Sequence, residues 1–302
     1  MYYYSVNEYL KNTFGEKVYK ISLDGGMNCP NRDGTTDTRG CIFCSGGGSG
    51  EFSADRQLSV TAQIEQAKRR IRPKTDCKRF IAYFQPFSNT YADVSYLRRI
   101  FFEAIASDEI AVLSIATRPD CLGSEVMGLL NELNAVKPVW VELGLQSVHA
   151  STTAYIRRGY PLEIYDEAVR NLHAVGVSVI THVILGLPRE TKAMMLQTVR
   201  YAGERSEGIK LQLLHVLRGT DLLRDYECGK FEVLDMERYI DILCDAVEIL
   251  PPDTVIHRLT GDGDKRLLIA PQWSADKKRV LHAINRVFQQ RNVVQGRKYK
   301  KI

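Results

Sequence analysis

The sequence lacks the long apolar run that a membrane-spanning protein needs. No run approaches the roughly 20 apolar residues that cross a bilayer. The opening stretch, MYYYSVNEYLKNTFGEK, is polar and lacks the charged-then-apolar order of a secretory signal. The 302 residues, 44% hydrophobic and 25% charged, also lack the bias of a disordered chain. We therefore expect a folded protein that is located in the cytoplasm and does not contact a membrane.

Cysteine is scarce, with seven residues, and unevenly distributed. An odd number of cysteines in a chain long enough to bury a core does not predict a disulfide framework. Three of them, Cys29, Cys41 and Cys44, lie within 16 residues, which indicates metal or redox chemistry. The others stand apart and are expected to be buried small residues or incidental thiols: Cys77, Cys121, Cys228 and Cys244.

Short apolar runs recur along the chain and predict six buried strands. They are Val18–Leu23, Arg79–Phe84, Ile110–Ala116, Pro138–Gly144, Val177–Ile184 and Ile209–Leu214. Segments between them repeat apolar residues at helical spacing, as in Val60, Ile64, Ala67 and Ile71. Strands that alternate with helices require crossover connections and so predict a parallel sheet.

The alternation predicts an α/β fold, a partial (β/α)6 barrel of the TIM type with a basic C-terminal extension. An open doubly wound sheet is the other architecture that fits; in both, the loops after the strands carry function. We divide the chain into a barrel, residues 1–250, with a cysteine-bearing loop at 25–50, and an extension, residues 251–302. The extension is expected to hold a short strand at Thr254–Leu259 and a basic helix near Ala275–Gln290.

The loop that follows the first strand carries the three clustered cysteines among Gly, Asn and Asp residues. Thiolates suit zinc or iron–sulfur clusters, and both usually take four protein ligands. Only three cysteines are close together here, and three on a four-iron cluster would leave one iron open to a substrate or cofactor. A zinc site with a remote fourth ligand is the alternative.

The motif Cys41-Ile42-Phe43-Cys44, after a cysteine and at the end of a first strand, resembles the radical S-adenosylmethionine (SAM) superfamily. Eleven residues separate Cys29 from Cys41. That gap resembles the YhcC-like clade, which is related to the radical SAM half of the Elongator catalytic subunit. The resemblance implies that Cys29, Cys41 and Cys44 hold a [4Fe–4S] cluster that cleaves SAM reductively to a 5'-deoxyadenosyl radical. It also implies an electron donor such as flavodoxin or ferredoxin.

Polar segments after strands two to five resemble the SAM-binding segments of that superfamily. All fall at the same ends of successive strands, so they converge on one mouth. With the cysteine-flanking Phe43, the residues that the resemblance assigns to cofactor binding are Phe43, Gln85, Ser88, Asn89, Thr90, Ser114, Thr117, Arg118, Glu142, Gln146, His182 and Gly186.

The C-terminal extension is strongly basic. From Arg258 to the end, twelve Lys or Arg oppose three Asp, so the first 257 residues carry a net charge of −4 within a total of +5. Such a tail indicates a polyanionic partner. The candidate phosphate-binding residues are Arg258, Lys277, Lys278, Arg279, Arg297, Lys298 and Lys300.

Elongator relatives act on C5 of the wobble uridine, so the resemblance makes tRNA the leading substrate and partner. The chain has no segment resembling an acetyltransferase domain, which leaves a different C5 side-chain reaction. Two alternatives stay open: a radical SAM enzyme acting on a small molecule or porphyrin-like substrate, and a non-catalytic, zinc-containing RNA-binding protein. The tail could also be simply a solvated surface.

Overall fold

The computed structural model describes residues 2–48, 50, 52–261 and 263–300. Its strands are β1 Val18–Leu23, β2 Arg79–Phe84, β3 Ile110–Thr117, β4 Val139–Gln146, β5 Ser178–Leu185, β6 Gly208–Leu213, β7 Val216–Leu217, β8 Val255–Arg258 and β9 Leu268–Ala270. Its α-helices are α1 Val6–Phe14, α2 Val60–Ile71, α3 Val94–Ile105, α4 Ser124–Val136, α5 Ala150–Tyr155, α6 Leu162–Ala174, α7 Lys192–Gly203, α8 Asp221–Glu227, α9 Met236–Ile249 and α10 Lys277–Gln290. Short 3₁₀ turns cover Arg72–Lys74, Pro119–Cys121 and Gln272–Ala275.

Seven parallel strands form the main sheet, in the order β1-β2-β3-β4-β5-β6-β8. The predicted partial barrel is confirmed, and the short strand expected near Thr254–Leu259 joins its edge as β8, beside β6. All eight residues of β3 are buried, as expected for a parallel strand covered on both faces. Helices α2, α3, α4, α6, α7 and α9 cover the outer face of the sheet.

Helix α1 closes the amino-terminal end of the barrel. Ser5 caps its start and Gly15, with φ 74°, ends it. Leu10 of α1 is buried with barrel residues that include Val18 and Trp140. One end of the barrel is therefore filled with apolar side chains, and the carboxyl ends of the strands are left to form a site.

The basic extension packs against the rest of the chain. Helix α10 lies on α9, and its Phe288 is buried against the rings of Tyr2 and Tyr3. Strands β7 and β9 pair antiparallel beside the barrel mouth. The division at residue 250 stays a prediction, because these contacts do not establish which part folds by itself. No helix in the described ranges is both long and apolar enough to cross a membrane.

Candidate active site

The three clustered cysteines line one cavity at the carboxyl ends of the strands. The loop that carries them is held by its own backbone: the Cys44 amide donates to the Cys41 carbonyl at 3.0 Å. The Arg32 guanidinium donates to the carbonyls of Cys44 and Ser45 at 3.1 and 2.6 Å. Residue 49 of the predicted 25–50 loop lies outside the described residues. The loop thus fixes the positions of the thiols through hydrogen bonds of its own.

The surroundings of Cys41 fit a metal-bound thiolate. Burial raises the pKa of its thiol to about 12, and the neighbouring Cys44 and Cys29 add to that. The Asn31 amide donates to the Cys41 sulfur at 3.3 Å, a contact that favours the thiolate. A thiol in such a place stays protonated unless a bound cation stabilises its anion. The residues present therefore fit a cationic iron–sulfur group better than a free nucleophile.

The cysteines do not close around a single ion. Among the residues that the structure describes, no three His, Cys, Asp or Glu side chains are grouped so as to hold one metal ion. The thiols of Cys29, Cys41 and Cys44 instead border a shared open space.

Two glycines after Cys44 allow the loop to pack on the segment that follows β2. A Cβ at Gly48, where φ is 58°, would lie 2.4 Å from the Phe87 ring. A Cβ at Gly50 would lie 2.6 Å from Pro86. The close approach that requires glycine here is therefore made to protein side chains of the β2 loop.

Most of the predicted cofactor-binding residues line the same cavity as the cysteines. They are Phe43, Gln85, Ser88, Thr117, Arg118, Glu142, Gln146 and His182. Gln146, at the end of β4, has φ 60°, an uncommon backbone conformation for a residue other than glycine. The strands thus bring together side chains that are up to 139 positions apart in sequence.

Four other predicted residues, Asn89, Thr90, Ser114 and Gly186, are absent from the cavity lining. The Asn89 amide donates to three backbone carbonyls, and the Thr90 hydroxyl bonds to Thr117 and to the Cys121 carbonyl. Ser114 donates to Glu142 at 2.9 Å. A Cβ at Gly186 would meet Leu234 at 2.9 Å. These residues support the cavity wall, and direct contact of any of them with SAM stays a prediction.

A buried ionic cluster lies on the inner face of the barrel. The Glu142 carboxylate accepts hydrogen bonds from Lys20 at 2.7 Å, from His182 at 2.7 Å, from Ser114 and from Lys210. The Glu142 side chain has no exposed surface and that of Lys210 is 3% exposed. We refer to Lys20, Glu142 and Lys210 as the lysine–glutamate cluster.

Burial alone would raise the pKa of the Glu142 carboxyl. The charges of Lys20 and Lys210 and the hydrogen bond from His182 outweigh it and hold that pKa well below its usual range. Burial lowers the pKa of His182 to about 4, and the Lys210 charge acts in the same direction. At neutral pH the site therefore combines an ionised Glu142 with a neutral His182.

Sequence reasoning missed the two lysines of the cluster. Each lies in the middle of a strand, Lys20 in the partly buried β1 and Lys210 in the largely buried β6. Within Lys-x-Ser at 20–22 and Lys-x-Gln at 210–212 the polar residues alternate with apolar ones, which places them on one face of a strand. That alternation was the available signal.

The basic residues of the extension occupy three different surroundings. Arg258, at the end of β8, lines the cavity. Arg297 and Lys298 form ion pairs with Glu248, and Lys298 also pairs with Asp245. The remaining candidates, Lys277, Lys278, Arg279 and Lys300, are exposed.

The lowered pKa of His182 predicts an acid-dependent loss of stability. The unfolded chain takes up a proton on this histidine near pH 6.5, whereas the folded protein does so only near pH 4. Its stabilising contribution is therefore complete above pH 6.5 and is lost as the pH falls from 6.5 to 4, by about 3 kcal/mol. Urea unfolding across this range should show a smaller acid loss for His182→Gln than for wild type. Equal losses would contradict the neutral assignment.

Family models match most of the chain. A model described as "Radical SAM superfamily" matches residues 38–202, and one described as "Radical_SAM C-terminal domain" matches residues 206–290. The chain is 44% identical over 301 residues to uncharacterized protein YtqA of Bacillus subtilis, covering 99% of this chain and 94% of that protein. It is 33% identical over 270 residues to protein YhcC of Escherichia coli, covering 89% and 86%.

The chain also has more distant relatives among the curated proteins and the solved structures. It is 26% identical over 161 residues to the tRNA uridine(34) acetyltransferase of Methanocaldococcus jannaschii, covering 52% of this chain and 29% of that protein. Among solved structures, archaeal Methanocaldococcus infernus Elp3 superposes with a TM-score of 0.67 at 17% identity, over 92% of this chain and 64% of that one. At that identity the superposition establishes a shared fold.

Proposed function

The chain belongs to the radical SAM superfamily, and from this premise we propose that Cys29, Cys41 and Cys44 hold its [4Fe–4S] cluster for the modification of a tRNA wobble uridine. The convergence of the three thiols on one cavity at the strand ends carries the cluster assignment. SAM is the second cofactor of the superfamily, and a reductant such as flavodoxin or ferredoxin supplies the electron. A non-catalytic zinc protein is set aside, because members of this superfamily are SAM-dependent enzymes.

When bound, a [4Fe–4S] cluster would supply one electron to break a sulfonium carbon–sulfur bond of SAM, giving methionine and a 5'-deoxyadenosyl radical able to take a hydrogen atom from the substrate. The protein's share is to position the reactants and to exclude water. Arg32 and Asn31 orient the cysteine loop through the hydrogen bonds described above. Phe43, Gln85 and Gln146 border the space beside the thiols and are proposed to contact SAM.

Two features support a tRNA substrate. The first is the similarity to the protein named tRNA uridine(34) acetyltransferase, which extends over about half of this chain. The second is the exposed run Lys277, Lys278 and Arg279 at the start of α10, which suits contact with phosphates. The match covers 29% of that relative's length, so the proposal extends to modification of the wobble uridine at C5 and not to acetyl transfer.

The test uses tRNA from a strain that lacks the gene. Reconstituted enzyme, SAM and dithionite should change the mass of the wobble nucleoside, read after digestion to nucleosides. The amount of 5'-deoxyadenosine formed should increase when this tRNA is added. If the tRNA of the deletion strain matches wild-type tRNA and does not stimulate SAM cleavage, the tRNA proposal is wrong. A small-molecule substrate then becomes the better account.

Removing three positive charges at the start of α10 should weaken tRNA binding and make that binding less dependent on salt concentration. In the Lys277→Gln, Lys278→Gln, Arg279→Gln triple variant, the slope of log K against log salt should shrink by about 2 to 3, because each lost phosphate contact removes about one counterion. Filter binding at several salt concentrations measures this slope.

A matched control comes from the paired residues of the same extension. Arg297→Gln with Lys298→Gln removes two positive charges that already face Glu248 and Asp245. We expect this double variant to change the slope by less than about one. An equal effect per charge in the two variants would place the RNA surface elsewhere or spread it over the whole extension.

A further inference from the structure

The lysine–glutamate cluster has two basic side chains for a single acidic one. Two ammonium groups, Lys20 and Lys210, share the single carboxylate of Glu142. Burial lowers the pKa of His257 well below its usual value, as it does that of His182, so neither histidine adds a charge at neutral pH. When both lysines are protonated, the inner face of the barrel therefore has one cation more than Glu142 can balance.

Such an excess is costly where water is scarce. Lys210 is almost fully buried, and an uncompensated charge in a low-dielectric site is strongly destabilising. Burial accordingly lowers the pKa of Lys210 well below its usual value, although contact with Glu142 opposes that change. A second anion at Lys210 would offset the cost and would favour the ammonium form.

Lys210 has a donor to spare for such an anion. An ammonium group carries three N–H donors. One contacts Glu142, and a second lies 3.3 Å from the Tyr83 hydroxyl. The third has no acceptor among residues 2–48, 50, 52–261 and 263–300. Lys20 and Lys210 both lie over the Tyr83 ring, at 4.4 and 4.7 Å from its centroid, which keeps the two ammonium groups near one another.

Lys210 lies in the cavity where we expect the substrate to bind. Lys210, Tyr83 and Arg258 line the same cavity as the three cysteine thiols. An anionic group held at Lys210 would leave the remainder of its molecule between that lysine and the cysteine loop. The cluster thus offers a fixed anchor at one side of the reaction space.

We propose that Lys210, supported by Lys20, is the subsite for a carboxylate or phosphate group of the substrate. This deepens the proposed function, since it takes the cavity as the substrate site. The shared chemistry is a small oxyanion accepting a charge-assisted hydrogen bond. It could come from an acidic substituent on the base or from a phosphate of the nucleotide.

The test compares wild type with Lys210→Met, both loaded with cluster and SAM. Removing Lys210 leaves Lys20 and Glu142 as a balanced pair, so this variant is expected to fold, and its melting temperature checks that. Lys210→Arg keeps the charge and is the second variant. Equilibrium dialysis is used with four probes: uridine, 5-carboxymethyluridine, its neutral amide 5-carbamoylmethyluridine, and uridine 5'-monophosphate. Inorganic phosphate is tested separately by thermal shift.

In wild type, one anionic uridine probe should bind about tenfold or more tighter than its neutral counterpart, as expected for a charged hydrogen bond. Lys210→Met should abolish this preference and Lys210→Arg should retain it. A preference for 5-carboxymethyluridine over its amide identifies an acidic substituent, and a preference for the monophosphate over uridine identifies the nucleotide phosphate.

The two proposals can fail separately. If inorganic phosphate stabilises wild type but not Lys210→Met while the tRNA of the deletion strain is neither modified nor able to stimulate SAM cleavage, the anion subsite stands and the tRNA substrate is wrong. If wild type and Lys210→Met respond alike to every anionic probe, the subsite is wrong, whatever the tRNA assay shows.

Discussion

Replacing Cys29, Cys41 and Cys44 together by alanine is expected to remove the iron–sulfur absorbance and to lower SAM cleavage by at least about a thousandfold, because the cofactor carries the hard chemistry. The three thiols border one cavity, and no other described cysteine lines it. Iron content, visible spectrum and 5'-deoxyadenosine release after anaerobic reconstitution measure the effect.

The matched control removes cysteines that lie away from the cavity. Cys77 is half-buried and Cys228 is exposed, so the Cys77→Ala, Cys228→Ala variant should keep both the colour and the activity. If the triple variant stays brown and loads a full complement of iron, the cluster is bound elsewhere. Loss of colour in the control variant would also mean that the cluster is bound elsewhere.

Glu142→Gln is expected to destabilise the protein by about 3–5 kcal/mol. The change keeps the shape of the side chain but leaves Lys20 and Lys210 without their shared carboxylate. A buried charge that loses its partner keeps its desolvation cost and loses its compensation. The free energy of unfolding in urea at pH 7 measures the effect.

A second substitution tests the cause of that loss. Adding Lys210→Met to Glu142→Gln removes the more buried of the two cations, so the double variant should recover part of the lost stability. The recovery would show as a coupling energy in a double-mutant cycle. A change within about 1 kcal/mol for Glu142→Gln would mean that the cluster is solvated and holds no buried charge.

The sequence predicted the scaffold well because the signals for it are local. The strand bounds at Val18–Leu23 and Arg79–Phe84 match the structure residue for residue, since each is a short run of mainly apolar residues. The cysteine loop was equally visible, as three thiols in sixteen residues. The convergence of the segments after β2 to β5 followed from parallel topology alone.

The ion pairs that the sequence did not predict join residues that are far apart in the sequence. Lys20 and Lys210 meet Glu142 across separations of 122 and 68 residues, and a lone lysine in a strand gives no sign of such a partner. Arg297 and Lys298 were counted among the positive charges of the basic tail. Their acidic partners lie on α9, about 50 residues earlier in the sequence. Composition measures charge but cannot show which charges are already paired.

The most direct test of the central claim is 5'-deoxyadenosine formation by the wild-type protein, reconstituted with iron and sulfide without oxygen and supplied with dithionite and SAM. The account predicts that 5'-deoxyadenosine forms only when the reductant, SAM and the intact cysteines are all present. A protein with a full [4Fe–4S] complement that binds SAM yet forms no 5'-deoxyadenosine, with or without tRNA, would contradict it.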